Sequence, residues 1–116
     1  RGVVDEVLWL KDGTVAPLDY KFAQYKERIF STYKTQMFCY AYLIEKNYPK
    51  KVYKSFLVYT RSKNKLITLE VSDNDLNNIK QSIESIITII QKNQFPKGTK
   101  FKSRCNLCTY SNICIQ

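Results

Sequence analysis

Two short acidic patterns stand near the start of the chain, Val4-Asp5-Glu6-Val7 and Leu18-Asp19-Tyr20-Lys21. Each is flanked by residues that favour β-strands, and Asp12-Gly13 lies between them. Residues two apart in a strand share a face, so Asp19 and Lys21 point the same way. Two neighbouring carboxylates repel unless a cation or a proton sits between them. A divalent ion meets that need: hard oxygen ligands suit Mg²⁺ or Mn²⁺, with water and a substrate phosphate completing the shell. A lysine beside such an ion can hold or polarise the attacking water and stabilise developing charge. Taken alone, Asp19-x-Lys21 fits a solvent-facing strand surface with an Asp–Lys pair better than it fits a catalytic centre.

What decides is whether Asp5 joins them, and that depends on the hairpin. Residues 3–10 and 15–22 read as its two strands. A two-residue Asp12-Gly13 loop would turn Asp5 away from Asp19. A three-residue loop, Lys11-Asp12-Gly13, pairs Leu10 with Thr14 and sets Asp5 opposite Asp19. That loop ends in a residue with positive φ, which Gly13 supplies. The sequence permits the register that unites the carboxylates. Pro17 requires an N–H position facing away from a ladder partner, or a bulge.

Further elements follow. Residues 32–47 read as a helix, with Tyr33, Met37, Tyr40, Ala41 and Ile44 on one stripe. Gln36 and Tyr40, four apart, share a face and offer an amide and a hydroxyl to a phosphate or base. In isolation the pair reads as a surface glutamine and a core tyrosine. Residues 53–60 and 65–71 read as a second strand pair joined by Ser62-Lys63-Asn64-Lys65. Ser72 resembles an N-cap, with Asp73 and Asp75 in the first helical turn. An apolar stripe of Leu76, Ile79, Ile83, Ile86, Ile87 and Ile90 then runs to about residue 93, and Phe95-Pro96-Lys97-Gly98 is expected to end that helix. Strand, strand, helix, strand, strand, helix describes an α/β fold of mixed sheet and helices.

Composition bounds the chemistry. The 116 residues amount to one domain. Nineteen Lys and Arg against ten Asp and Glu give a net charge of +9, which fits a polyanionic partner or a lysine-rich solvated face equally well. No histidine is present, which removes Ser-His, Cys-His and His-metal chemistry from this segment. No apolar run approaches a membrane span. Of four cysteines, Cys105, Cys108 and Cys114 crowd into the last dozen residues, a pattern closer to a metal or iron–sulfur site than to a disulfide framework. By spacing alone zinc is as good a candidate as iron. Cys39, between Gln36 and Tyr40, reads as a small packing residue.

Together, GVVDEV with Asp5, LDYK with Asp19 and Lys21, and QMFCY with Gln36 and Tyr40 resemble the RecB-like branch of the PD-(D/E)XK nuclease superfamily. The tail Cys105-x2-Cys108-x5-Cys114 is similar to that of its iron–sulfur members, above all the CRISPR-associated exonuclease of the spacer-acquisition module. The resemblance covers nearly the whole chain. It implies a restriction-endonuclease-like mixed sheet flanked by helices, a single domain over residues 1–116, and a cluster-binding tail over 99–116. It implies that Asp5, Asp19 and the Tyr20 carbonyl bind Mg²⁺ or Mn²⁺, that Lys21 serves the nucleophilic water, and that Gln36 and Tyr40 support the centre. Cys105, Cys108 and Cys114 would ligate a [4Fe–4S] cluster. Family members carry the fourth cluster cysteine, and often a histidine, on an upstream helical segment. The chain begins at Arg1, so that segment is expected to be missing.

The expected activity is that of a cytoplasmic, metal-dependent deoxyribonuclease trimming single-stranded or overhanging DNA ends. It would process prespacers in CRISPR adaptation, beside the integrase complex and away from membranes. The basic surface would hold phosphates, and tyrosines would stack exposed bases. Two other readings compete: a catalytically incomplete nucleic-acid-binding or integrase-docking module, and a zinc-tailed interaction domain.

Overall fold

The computed structural model describes residues 2–94, 97–111 and 114. Four strands form one sheet in the order β1 (Glu6–Trp9), β2 (Val15–Lys21), β3 (Lys54–Tyr59), β4 (Lys65–Glu70). The outer pairs are antiparallel, and β2 runs parallel to β3. A parallel pair needs a long crossover, and here it is helix α1 (Ser31–Asn47). The sheet is therefore mixed, and β2 and β3 are its central strands.

The β1–β2 turn adopts the three-residue form. The Gly13 N–H donates to the Leu10 carbonyl at 3.0 Å and the Leu10 N–H to the Thr14 carbonyl at 2.9 Å. Gly13 has φ +83°, the left-handed value that an L side chain resists. Asp12 fixes the turn by accepting from the Thr14 N–H and hydroxyl at 2.9 and 2.6 Å, and these bonds hold its carboxyl below the usual carboxylate range. The ladder is regular from Glu6↔Leu18 to Trp9↔Val15, so Pro17 sits in no bulge. Its missing N–H is tolerated because the pairing of β2 with β3 begins only at Leu18.

Chain Arg1–Gln81 forms one compact unit and Ser82–Gln116 another. Helix α2 (Asp73–Gln91) contributes to both. In the first unit Val15, Ala41, Ile44, Val52, Val71 and Leu76 form one buried cluster, and Met37, Leu57 and Tyr59 a second. The α1 stripe thus buries Met37, Ala41 and Ile44, with Tyr33 and Tyr40 packed beside the second cluster. Helix α2 opens with a reciprocal cap. The Ser72 hydroxyl receives the Asp75 N–H at 3.2 Å, and Asp75 Oδ2 receives the Ser72 N–H at 3.0 Å.

Helix α2 differs from its sequence pattern in two details. Its apolar stripe is buried only at Leu76 and Ile79, while Ile83, Ile86, Ile87 and Ile90 are 37, 57, 45 and 72% exposed. Periodicity marks a face but does not say what covers it. The helix also stops earlier than the Phe-Pro signal suggested. Asn93 takes φ +49°, the Gln94 N–H reaches back to the Ile89 carbonyl at 3.0 Å and the Asn93 N–H to that of Ile90 at 3.2 Å. This is a Schellman stop with asparagine in the glycine position. Phe95 and Pro96 lie outside the described residues. Beyond it, Lys102–Arg104 form one 3₁₀ turn. Among the described residues, no helix is long and apolar enough to cross a membrane.

A candidate active centre on β2 and α1

Central position makes β2 a buried strand. Val15, Ala16 and Leu18 are core residues, and Asp19 beside them is only 3% exposed. Burial of a carboxylate overturns the solvent-facing reading of Asp19-x-Lys21. A charge removed from water needs compensation, and β2 and α1 provide it. Lys21 Nζ lies 2.5 Å from Asp19 Oδ2 and donates to Gln36 Oε1 at 2.5 Å. Gln36 Nε2 reaches the Tyr40 hydroxyl at 2.8 Å and, more weakly, Asp19 Oδ1 at 3.5 Å. Residues fifteen or more apart in sequence thus close one polar network.

Each member is where it is for a local reason. Alternation along β2 puts Asp19 and Lys21 on one face. The helical period puts Gln36 and Tyr40 on one face of α1. The parallel pairing of Lys21 with Tyr59 anchors the end of β2, where the Thr60 hydroxyl donates to the Lys21 carbonyl at 3.2 Å. Tyr33, one turn before Gln36, places its ring 4.6 Å from Lys21 Nζ. Thr60 and Tyr33 are contacts the sequence reading missed. Tyr33 was legible, since it lies three residues before Gln36 on the same helix face; Thr60 carries no local signal.

Asp5 stands one residue before β1. Continuing the register of Glu6↔Leu18 sets it opposite Asp19. It is exposed, and its Oδ2 takes the Tyr20 N–H at a long 3.4 Å. Tyr20 points to the other side of the strand, where its hydroxyl donates to Glu6 Oε1 at 2.9 Å. That bond, and the charges of Glu6 and Asp5, push its pKa up. The centre therefore joins Asp19, Lys21, Gln36 and Tyr40 directly, with Asp5 on its open side.

The donor set suits a hard cation. Asp19 Oδ2 is buried and receives no directed hydrogen bond within the described protein, only the ion pair with Lys21. A buried carboxylate oxygen with unused lone pairs and a second, exposed carboxylate opposite suit Mg²⁺, because Mg²⁺ keeps water and needs few protein ligands. Among the described residues, no three His, Cys, Asp or Glu side chains gather as a metal site. The expected convergence of Cys105, Cys108 and Cys114 is thus not seen. Cys105 is half-buried, and Cys108 and Cys114 are exposed. Cys39 is half-buried on α1, and burial pushes its thiol pKa up, as suits a packing residue.

No curated protein matches the chain significantly. The family model of the PD-(D/E)XK nuclease superfamily matches residues 1–115, essentially end to end. That superfamily implies metal-dependent nuclease activity, typically with Mg²⁺ or Mn²⁺, and therefore DNA as the partner. With an Asp-x-Lys strand, an acidic residue across the hairpin and a helix packed on that strand, the chain belongs to the PD-(D/E)XK nuclease superfamily.

Proposed function

We propose that this chain is a RecB-like, Mg²⁺- or Mn²⁺-dependent exonuclease that trims single-stranded DNA ends, acting in the cytoplasm in prespacer processing beside the CRISPR integrase. The observation that carries the nuclease chemistry is the part-buried Asp19–Lys21–Gln36–Tyr40 network. Asp5, Asp19 and the Tyr20 carbonyl would hold the ion, which when bound would neutralise charge on the reacting phosphate. Lys21 has three N–H donors. Gln36 engages one of them and the ion pair with Asp19 orients the ammonium, which leaves a donor for the attacking water. Gln36 fixes the ammonium, and Tyr40 fixes Gln36 by accepting from its amide. Neither carries the reaction itself; both hold Lys21 in place.

The finer assignments rest on resemblance. End-trimming and the CRISPR role come from the joint pattern of the three motifs and the cysteine tail. So does the [4Fe–4S] cluster on Cys105, Cys108 and Cys114, with its fourth ligand on another segment. Iron and zinc analysis of anaerobically purified, longer protein tests the cluster; stoichiometric zinc without iron would remove it.

For the activity, end-labelled single-stranded, overhanging and blunt DNA is incubated with the protein and Mn²⁺ or Mg²⁺. Stepwise shortening of single-stranded ends is expected, dependent on the ion and lost in Lys21→Ala. Internal cutting of circular single strands would refute the exonuclease reading. Tight binding with no ion-dependent cleavage would favour the incomplete-module reading instead.

A further inference from the structure

Phe22 follows Lys21 directly, and its ring is 86% exposed. The chain makes it so. The Ala23 N–H bonds back to the Lys21 carbonyl at 2.8 Å, a three-residue turn that ends β2 and throws Phe22 outward. The following segment is pinned: the Tyr25 N–H donates to the Ser62 hydroxyl at 2.8 Å, and the Tyr25 ring packs 5.1 Å from Tyr59. An aromatic side chain of this size left in water adds little apolar burial to the fold. It is not wholly alone, because the Arg61 guanidinium lies 5.6 Å from its ring centre. Arg61 comes from the 3₁₀ turn Thr60–Ser62, whose Thr60 already holds the Lys21 carbonyl.

We propose that Phe22, backed by Arg61, is a stacking platform for the unpaired base next to the phosphate that Lys21 addresses. The inference rests on the nuclease reading of Lys21. It adds the substrate feature recognised, a splayed single-stranded base. An exposed ring offers one flat face, and a base can cover it only when it is not sandwiched in a duplex. The guanidinium supplies positive charge for the neighbouring phosphate and strengthens the ring's attraction for a π-system. Phe22 follows Lys21 at the end of β2 and alternation turns it to the opposite face, so the base it holds belongs to a nucleotide that flanks the reacting one as the strand passes round the end of β2. A single-strand preference then follows from the platform and requires no groove wide enough for a duplex.

The test is equilibrium binding without divalent ion, so it does not depend on cleavage. Fluorescence anisotropy is measured with labelled oligo-dT and with a blunt duplex of equal charge. Phe22→Ala should weaken oligo-dT binding about 10-fold, or ~1.4 kcal/mol, and leave duplex binding unchanged. Its salt dependence should match the wild type, since the ring carries no charge. Phe22→Trp should retain affinity, and in a Trp9→Phe background its fluorescence should be quenched by oligo-dT. Because Phe22 is exposed, the substitutions leave the core intact, and equal melting temperatures check this. Oligo-dT affinity within twofold of wild type in Phe22→Ala, or equal losses on both DNAs, overturns the platform. In that case the nuclease reading stands, provided Lys21→Ala abolishes cleavage. Absence of binding by the wild type overturns both.

Discussion

At the scale of single residues, the centre presents a stability problem as well as a catalytic arrangement. Asp19 and Lys21 form a buried ion pair, and removing one partner leaves the other charge uncompensated, at about 3–5 kcal/mol. The Lys21→Ala variant should therefore lose activity about 100-fold or more and also unfold at lower urea. The double variant Asp19→Asn/Lys21→Met removes both charges. It should recover most of the lost stability while remaining inactive, and urea denaturation beside an end-labelled DNA assay separates the two effects. Stability of the double variant no better than that of Lys21→Ala would show that the pair's charge is not what is being lost.

At the scale of elements, the hairpin decides whether the carboxylates meet. Shifting a strand by one residue turns its side chains to the opposite face. Deleting Lys11 shortens the loop to the two-residue form and should move Asp5 off the Asp19 face, ending ion-dependent cleavage while the sheet persists by circular dichroism. Retained cleavage would show that Asp5 is not needed there. The sequence narrowed this loop to two lengths; Gly13 with its positive φ was the residue that made the longer one possible. Helical spacing likewise made the Gln36–Tyr40 face readable, and Ser72-x-x-Asp75 the start of α2. Burial of Asp19 was not readable, because it depends on β3 and α1 covering β2 from far along the chain. The exposure of Ile83, Ile86, Ile87 and Ile90 escaped for the same reason, and the stop at Asn93 because asparagine signals a left-handed cap less clearly than glycine.

At the scale of the whole molecule, charge sets how DNA is met. A net charge of +9 on 116 residues makes binding a counterion-release process, in which the logarithm of affinity falls linearly with the logarithm of salt. Measured on oligo-dT from low to moderate salt, the slope should be negative by several units, and each lysine or arginine that contacts phosphate should contribute about 0.7 of a unit on single strands. Arg61→Ala should make the slope shallower by about that amount. A flat response would mean that the excess charge is a solvated face.

Beneath the centre, the Tyr59 hydroxyl is buried with no hydrogen-bond partner among the described residues, and it lies among the rings of Tyr25 and Tyr33. Its ionisation is opposed first by burial and then by those two neighbours, so its pKa is raised from the ordinary 10.0. The folded protein thus holds this proton more tightly than the unfolded chain does. By proton linkage, the stability tied to Tyr59 is fully present below about pH 10, the unfolded value, and drains away as pH rises from there toward the folded value. The protein should have an alkaline ceiling set from inside its core. Tyr59→Phe, which removes one unsatisfied oxygen, should be at least as stable at pH 7 and should lose less stability as pH rises above about 10 in urea melts. A variant that is weaker at neutral pH would mean the hydroxyl has a partner after all.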